Sequence, residues 1–330
     1  MLRIVVILLV AAAAWMGWWA FGSIAYERGL NTWIEARRAE GWAADVATLE
    51  TRGFPNRFDT TLSEVRLADP ATGVAWSAPF LQFLSLSYRP NEVIAVLPEQ
   101  HSFATPLQQV TISHDRARGS LFLAPSTSLP LQSARVVVDA LDVASSLDWS
   151  VRLDEGRFAA ELAPATETTY RIGGEMLGLA PSAGMLRVLD PGKVLPGKIK
   201  RVRLDATIRF TAPWDRRAIE DARPQIETID LTDLSARWGS VNFRAAGALR
   251  VNKAGVPTGE ITVRAVDWRR LLAMAVSAGL VPEALSGALE SAFELLSGRR
   301  DTLDVPLEFR GGQVRLGPLP LGPAPRIVIR

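Results

Sequence analysis

Residues 199–210 read IKRVRLDATIRF, and their alternation decides the fold. Val202, Leu204, Ala206, Ile208 and Phe210 share one parity, and Arg203, Asp205, Thr207 and Arg209 share the other. Side chains of a strand point alternately to its two faces, so the pattern predicts a strand with one apolar and one wet face. Antiparallel sheets tolerate water on one side in this way, whereas parallel sheets covered on both sides do not. Working outward toward the C-terminus, Ile229 and Leu231 shift phase to Leu234, Ala236 and Trp238. VNFRAAGALRV at 241–251, the turn NKAGVPTG and EITVRAV at 260–266 follow. That turn is too short for a helical crossover, so the segments form an antiparallel meander.

The same punctuated, strand-like texture extends upstream to Ala44. In GFPNRFDTTLSEVRLADP, residues 53–70, Phe58 and Leu62 share one face while Val65 and Leu67 fall on the opposite parity, a slip that predicts a bulge near Ser63. Phe80, Leu84, Leu86 and Tyr88 line one face of a further strand, with Phe83, Ser85 and Ser87 on the other. RPN at 89–91 is read as the turn into VIAVLP, which completes a hairpin. More strands are expected at 109–113, 120–123, 134–141, 150–153 and 157–162.

Helical spacing returns in DWRRLLAMAVSAGLVPEALSGALESAFELLSG, a predicted helical hairpin with Asp267 as N-cap, Pro282 opening the second helix and Gly298 beyond its end. Leu285, Leu289, Phe293 and Leu296 form the stripe that packs on the sheet, with Glu283, Glu290 and Glu294 on the solvated side. LDVPLEFR, a Gly-Gly turn and QVRLGPLPLGPAP close the chain as a hairpin and a Pro-rich tail.

The N-terminus is of another kind. Ile4 to Phe21 carries no charge over eighteen positions, a length of roughly 27 Å as a helix, close to the thickness of a bilayer's hydrocarbon core. Trp15, Trp18 and Trp19 stand where indoles prefer a membrane interface, which favours a retained anchor over a cleaved secretory signal built from Arg3, Ile4–Val10 and the alanines at 11–14. Either reading sends the remaining chain across the membrane from Arg3, into the periplasm of a bacterium. Tyr26, Leu30, Trp33 and Ile34 then mark an amphipathic helix stopped at Gly41.

Composition narrows the chemistry. There is no cysteine among the 330 residues, which excludes disulfides and a thiol nucleophile. A net charge of +2 from 37 basic and 35 acidic residues gives nucleic acid no basic patch to bind. GKVLPGKI at 192–199 has the glycine and lysine spacing of a phosphate loop, but Ile199 replaces the hydroxyl residue and a strand follows where a helix is required. His101 and His114 fit no zinc spacing and read as ordinary surface or sheet residues, and no serine lies in a nucleophile motif. Acidic neighbours such as Asp154 and Glu155, or Asp139 and Asp142, read as turns. No catalytic residue, metal or cofactor is expected, and the chain reads as a non-enzyme.

Several blocks resemble a known family. The anchor, a helix ending in Gly41-Trp42, GFPNRFD at 53–59, ADPATG at 68–73, SAPFLQFLSLSYRPNEVIAVLP at 77–98 and LGPLPLGPAP at 316–325 resemble the alphaproteobacterial domain of unknown function 2125, a likeness that implies no activity. A looser resemblance, carried by Val241–Leu272, is to AsmA-like envelope proteins. It implies a curved antiparallel sheet with a hydrophobic groove and a role in phospholipid handling.

The expected architecture is therefore mainly β (α+β). A transmembrane anchor at 1–22 precedes an amphipathic helix at 23–42, a first β segment at 43–190 and a meander at 191–266; the helical hairpin at 267–299 and the closing hairpin and tail at 300–330 complete it. Groove candidates are Leu84, Leu86, Tyr88, Val202, Leu204, Ile208, Phe210, Phe243, Ile261 and Val263, and Trp15, Trp18 and Trp19 are placed at the membrane interface. The expected partners are the inner membrane and phospholipid acyl chains, or envelope proteins if the chain is a scaffold. Alternation alone leaves open whether the apolar faces form a closed sandwich or an open groove.

Overall fold

In the computed structural model, which describes residues 1–298 and 300–329, the chain is mostly antiparallel sheet. Arg299, the last residue of the expected helical hairpin, and Arg330 lie outside the described residues. Two compact units are present: residues 1–123 with 136–148, and residues 124–135 with 149–330.

The first unit begins with α1 (Leu2–Ala39), in which the expected anchor and amphipathic helix run together without a break. The helix stops at Ala39, two residues before Gly41, whose φ of +90° suits a residue without a Cβ. Strands β1 (Ala43–Asp45), β2 (Thr48–Arg52), β3 (Arg57–Asp69), β4 (Val74–Leu86), β5 (Arg89–Val96), β6 (Gln100–Ala104), β7 (Gln109–Ser113) and β8 (Arg116–Leu123) follow. β4 is the hub. It pairs with β3 along its length, with β6 through Ala75–Ser77 and with β5 through Gln82–Leu86. Strand β9 (Leu131–Ser145) lends its second half to this unit, where Asp142–Ser145 pair with β7.

The bulge expected near Ser63 is not present, because β3 and β4 keep one register on either side of it. Glu64, at φ 47°, and Pro79 opposite it are both left out of the ladder between the pairs Ser63↔Phe80 and Val65↔Ala78, so neither strand carries an extra residue. The positive φ at Glu64 shifts the phase instead, and Phe58, Leu62 and Val65 are all buried on one side. That side packs against α1: Ile34, Ala44, Leu62 and Val65 form a cluster joined by Leu30, Leu67, Trp76, Leu81 and Phe83. The hairpin after β4 turns at Ser87–Tyr88, two residues before the expected RPN, because Arg89 already pairs with Leu86.

The second unit holds β10 (Ser150–Leu162), β11 (Thr169–Leu179), β12 (Ile199–Phe210), β13 (Ile226–Trp238), β14 (Val241–Val251), β15 (Pro257–Val266) and β16 (Thr302–Arg310), each antiparallel to the next. The two strands expected at 150–153 and 157–162 are one, β10. Short helices α2 (Ala183–Leu189) and α3 (Arg217–Glu220) lie in the connections on either side of β12. The helical hairpin consists of α4 (Trp268–Ser277) and α5 (Glu283–Ser297), and β17 (Gln313–Leu316) with β18 (Leu319–Pro323) closes the chain. Trp268, Leu289, Ala265, Leu303, Val305 and Leu316 form the core beneath the helices. Asp267 does occupy the N-cap of α4, but its carboxylate accepts from Ser240 Oγ at 2.7 Å and makes no cap bond.

Candidate functional site

Two features stand out: a collar around α1 and an apolar sheet face in the second unit. The collar is built by the corner Gly53–Arg57. Arg57 N–H donates to the Gly53 carbonyl at 2.9 Å, and Gly53 holds φ +105° with the Arg57 Cβ so close that a side chain there would collide. A cis Phe54–Pro55 bond sits inside this turn. The fold thus turns three backbone carbonyls toward α1. Trp15 Nε1 donates to Pro55 O at 3.0 Å, Trp18 Nε1 to Ser87 O at 2.9 Å and Trp19 Nε1 to Arg57 O at 2.7 Å. Tyr26 Oη donates to Pro90 O at 2.6 Å and lies 3.0 Å from Ser85 Oγ.

Aromatic packing completes the clasp. Phe58 is 1% exposed and fills the notch left by Gly22, where any Cβ would run into its ring. The Phe58 ring lies 6.2 Å from Trp19 and 5.4 Å from Tyr26, and Phe54 meets Trp19 edge-on at 5.5 Å. Farther along, Thr51 N–H donates to Glu27 Oε1 at 2.8 Å and Arg38 Nε to Ala44 O at 2.7 Å. The three indoles are therefore not free side chains. Each is tied to the strand end, and Trp15, Trp18, Phe54 and Tyr88 still keep more than a third of their surface exposed.

The second feature is one face of the sheet from β10 to β16. Register places Phe158, Gly174 and Leu204 in one row, which continues through Leu234, Ala245, Val263 and Val305. Neighbouring rows carry Met176, Val202, Ala236, Phe243, Ala265 and Leu303, and Tyr170, Ile208, Ile229 and Leu249. The face is closed at its β15–β16 end by α4 and α5 and by Leu316, Leu319 and Leu321. Toward β10 it is more open. Val202, Leu204, Ile208 and Phe243 are half-buried, and Phe158, its ring over Gly174, is 41% exposed.

The opposite face is wet and laced with ion pairs. Arg201 meets Glu175 at 2.5 Å, Arg209 meets Glu227 at 3.2 Å and Arg244 meets Asp233 at 2.8 Å. Of the groove candidates, Val202, Leu204, Ile208, Phe210, Phe243, Ile261 and Val263 all belong to the apolar face. Phe210 and Ile261 are buried in it, Phe210 between the rings of Tyr170 and Trp214. Leu84, Leu86 and Tyr88 belong to the other unit. Leu84 and Leu86 face away from the α1 core, opposite to Leu81 and Phe83, and Tyr88 is a turn residue that continues no strand face.

Residues with reactive chemistry fall elsewhere. His101 and His114 are not surface residues: they are 7% and 5% exposed, with ring centres 5.6 Å apart. The β6–β7 hairpin brings them together across thirteen residues of sequence. Burial pushes the His101 imidazole below its ordinary value, the Pro98 carbonyl opposes that shift and the neighbouring His114 adds to it. Among the described residues no group of three His, Asp or Glu side chains could hold a metal. Asp154, read as a turn acid, forms an ion pair with Lys198 at 2.7 Å, and Asp139 pairs with Arg116. The phosphate-loop-like stretch runs from the end of α2 directly into β12, and Trp238 Nε1 donates to its Pro196 carbonyl at 2.6 Å.

This geometry defines a mainly β protein with one N-terminal helix long and apolar enough to cross a membrane. The family described as "Uncharacterized protein conserved in bacteria (DUF2125)" matches residues 19–325, and the chain belongs to it. No curated protein and no solved structure matches the chain.

Proposed function

We propose that α1 anchors the protein in the inner membrane with its β units in the periplasm, and that the apolar face of the second unit takes lipid acyl chains without catalysing a reaction. The observation that carries this reading is the half-buried state of Val202, Leu204, Ile208 and Phe243 beside an exposed Phe158. A contiguous apolar face left partly open on the chain marks an interaction surface. Its lining is aliphatic and aromatic, and the charges of the same strands are gathered on the opposite side. Such a surface offers a methylene chain burial worth about 0.8 kcal/mol per carbon and nothing to a polar ligand.

Native mass spectrometry of the full chain released from membranes tests the reading. Wild type should retain phospholipid, and Ile208→Asp or Phe243→Asp should lose it while remaining membrane-bound. A lipid-free wild type that captures another envelope protein through the same face would replace lipid binding with a scaffold role.

A further inference from the structure

We infer that the collar is a membrane-docking surface: the corner Gly53–Arg57 and the turn at Ser87–Tyr88 sit in the interfacial layer of the bilayer that α1 crosses, with Phe54 and Tyr88 inserted among the lipids. The inference rests on the reading of α1 as an anchor and goes beyond it, because an anchor alone would let the β units stand clear of the surface.

Its ground is axial length. A helix rises about 1.5 Å per residue and a hydrocarbon core is about 30 Å thick, so an upright span entered at Ile4, just past the charge of Arg3, needs about twenty residues. Trp15, Trp18 and Trp19, the residues bound by the collar, lie only about 17, 21 and 23 Å along that axis from Ile4. The loops that accept their indole N–H groups are therefore drawn to the far edge of the hydrocarbon, short of bulk water. A short span is accommodated by thinning the bilayer locally, not by lifting the collar away.

The side chains at that level suit the position. Phe54 is 53% exposed, Tyr88 58%, Trp18 45% and Phe21 68%, a ring of aromatic surface with no protein over it in the first unit. Aromatic rings of this kind concentrate at membrane–water interfaces. The backbone carbonyls that would be costly at that depth are the ones already paired, Pro55 with Trp15 and with Ser87 Oγ, and Ser87 with Trp18. Arg57 and Arg89 stand beside the loops and are paired with Asp59 and Glu92, so docking needs no anionic lipid. Because α1 continues into the core through Leu30 and Ile34, the first unit is held at a fixed angle to the bilayer.

The absence of cysteine gives a clean test, since one introduced cysteine is a unique labelling site. Nitroxide labels at Leu9→Cys, Phe54→Cys, Tyr88→Cys and Ala71→Cys, in full-length protein in phosphatidylcholine vesicles, report depth through their accessibility to oxygen against a water-soluble nickel chelate. Labels at 54 and 88 are expected to raise the oxygen-to-nickel ratio severalfold over the label at 71, which lies in the turn between β3 and β4, with 9 higher still. Labels at 54 and 88 as aqueous as at 71, with 9 deep, overturn the docking and leave the anchor. An aqueous label at 9 overturns the anchor, and the docking with it.

Discussion

The strands of the two units carry the same alternating signal and spend their apolar faces differently. In the first unit Phe58, Leu62 and Val65 are closed against a helix that belongs to the same unit. In the second, helices cover only the β15–β16 end, and Val202, Leu204, Ile208 and Phe243 stay half-buried. Strand alternation thus says which face is apolar, and the element laid over that face says whether it is a core or a surface. A positive φ at Glu64 serves the closed face by turning two out-of-phase pairs to the same side with no change of register, whereas the β12–β13 ladder does shift register at Asp205/Ala206.

The contrast can be broken by truncation. Phe58→Ala empties the notch at Gly22 and removes contacts to Trp19 and Tyr26, so it should cost about 3–5 kcal/mol in chemical denaturation. Leu62→Ala, in the same core, should cost about 2–5 kcal/mol. Leu204→Ala should lose only about 1 kcal/mol, roughly half the transfer energy of a fully buried leucine. Equal losses at Leu62 and Leu204 would mean that the second face is a closed core as well.

The histidine pair sharpens the account of the first unit. The unfolded chain takes up a proton on His101 near the ordinary pKa of 6.5, before the buried native side chain does. The stability concerned is therefore complete above 6.5 and lost as the pH falls below it. Calorimetry across that interval should show a falling Tm in the wild type and a flatter profile for His101→Phe. The smallest effect belongs to the wet face: Arg209→Ala, which removes an exposed pair with Glu227, should change stability by less than about 1 kcal/mol.

Much of the fold was legible because it rests on period. β12, the meander to β15, both C-terminal helices and the change of phase near Ser63 follow from spacing and punctuation alone, although that change comes without the expected bulge. β11 escaped because Gly173 and Gly174 interrupt its apolar run; the value of Gly174 is to let Phe158 lie across the strand, which no single strand's sequence reveals. The turn at Ser87–Tyr88 was displaced to RPN because proline is tolerated early in β5, where sequence rules read it as a breaker. The tryptophan collar was hidden for a different reason: its acceptors are backbone carbonyls, which leave no mark in the sequence. The one available signal was the spacing of Trp15, Trp18 and Trp19 on a single side of the helix.

The central claim, that the open apolar face meets lipid, is tested most directly by photo-crosslinking within single strands. Benzoylphenylalanine placed at Ile208 or Phe243 in the membrane-embedded full chain should form phospholipid adducts on irradiation. At Arg209 or Arg244, one residue away on the ion-paired face, it should form none. Lipid adducts at all four positions, or at none, would contradict the account.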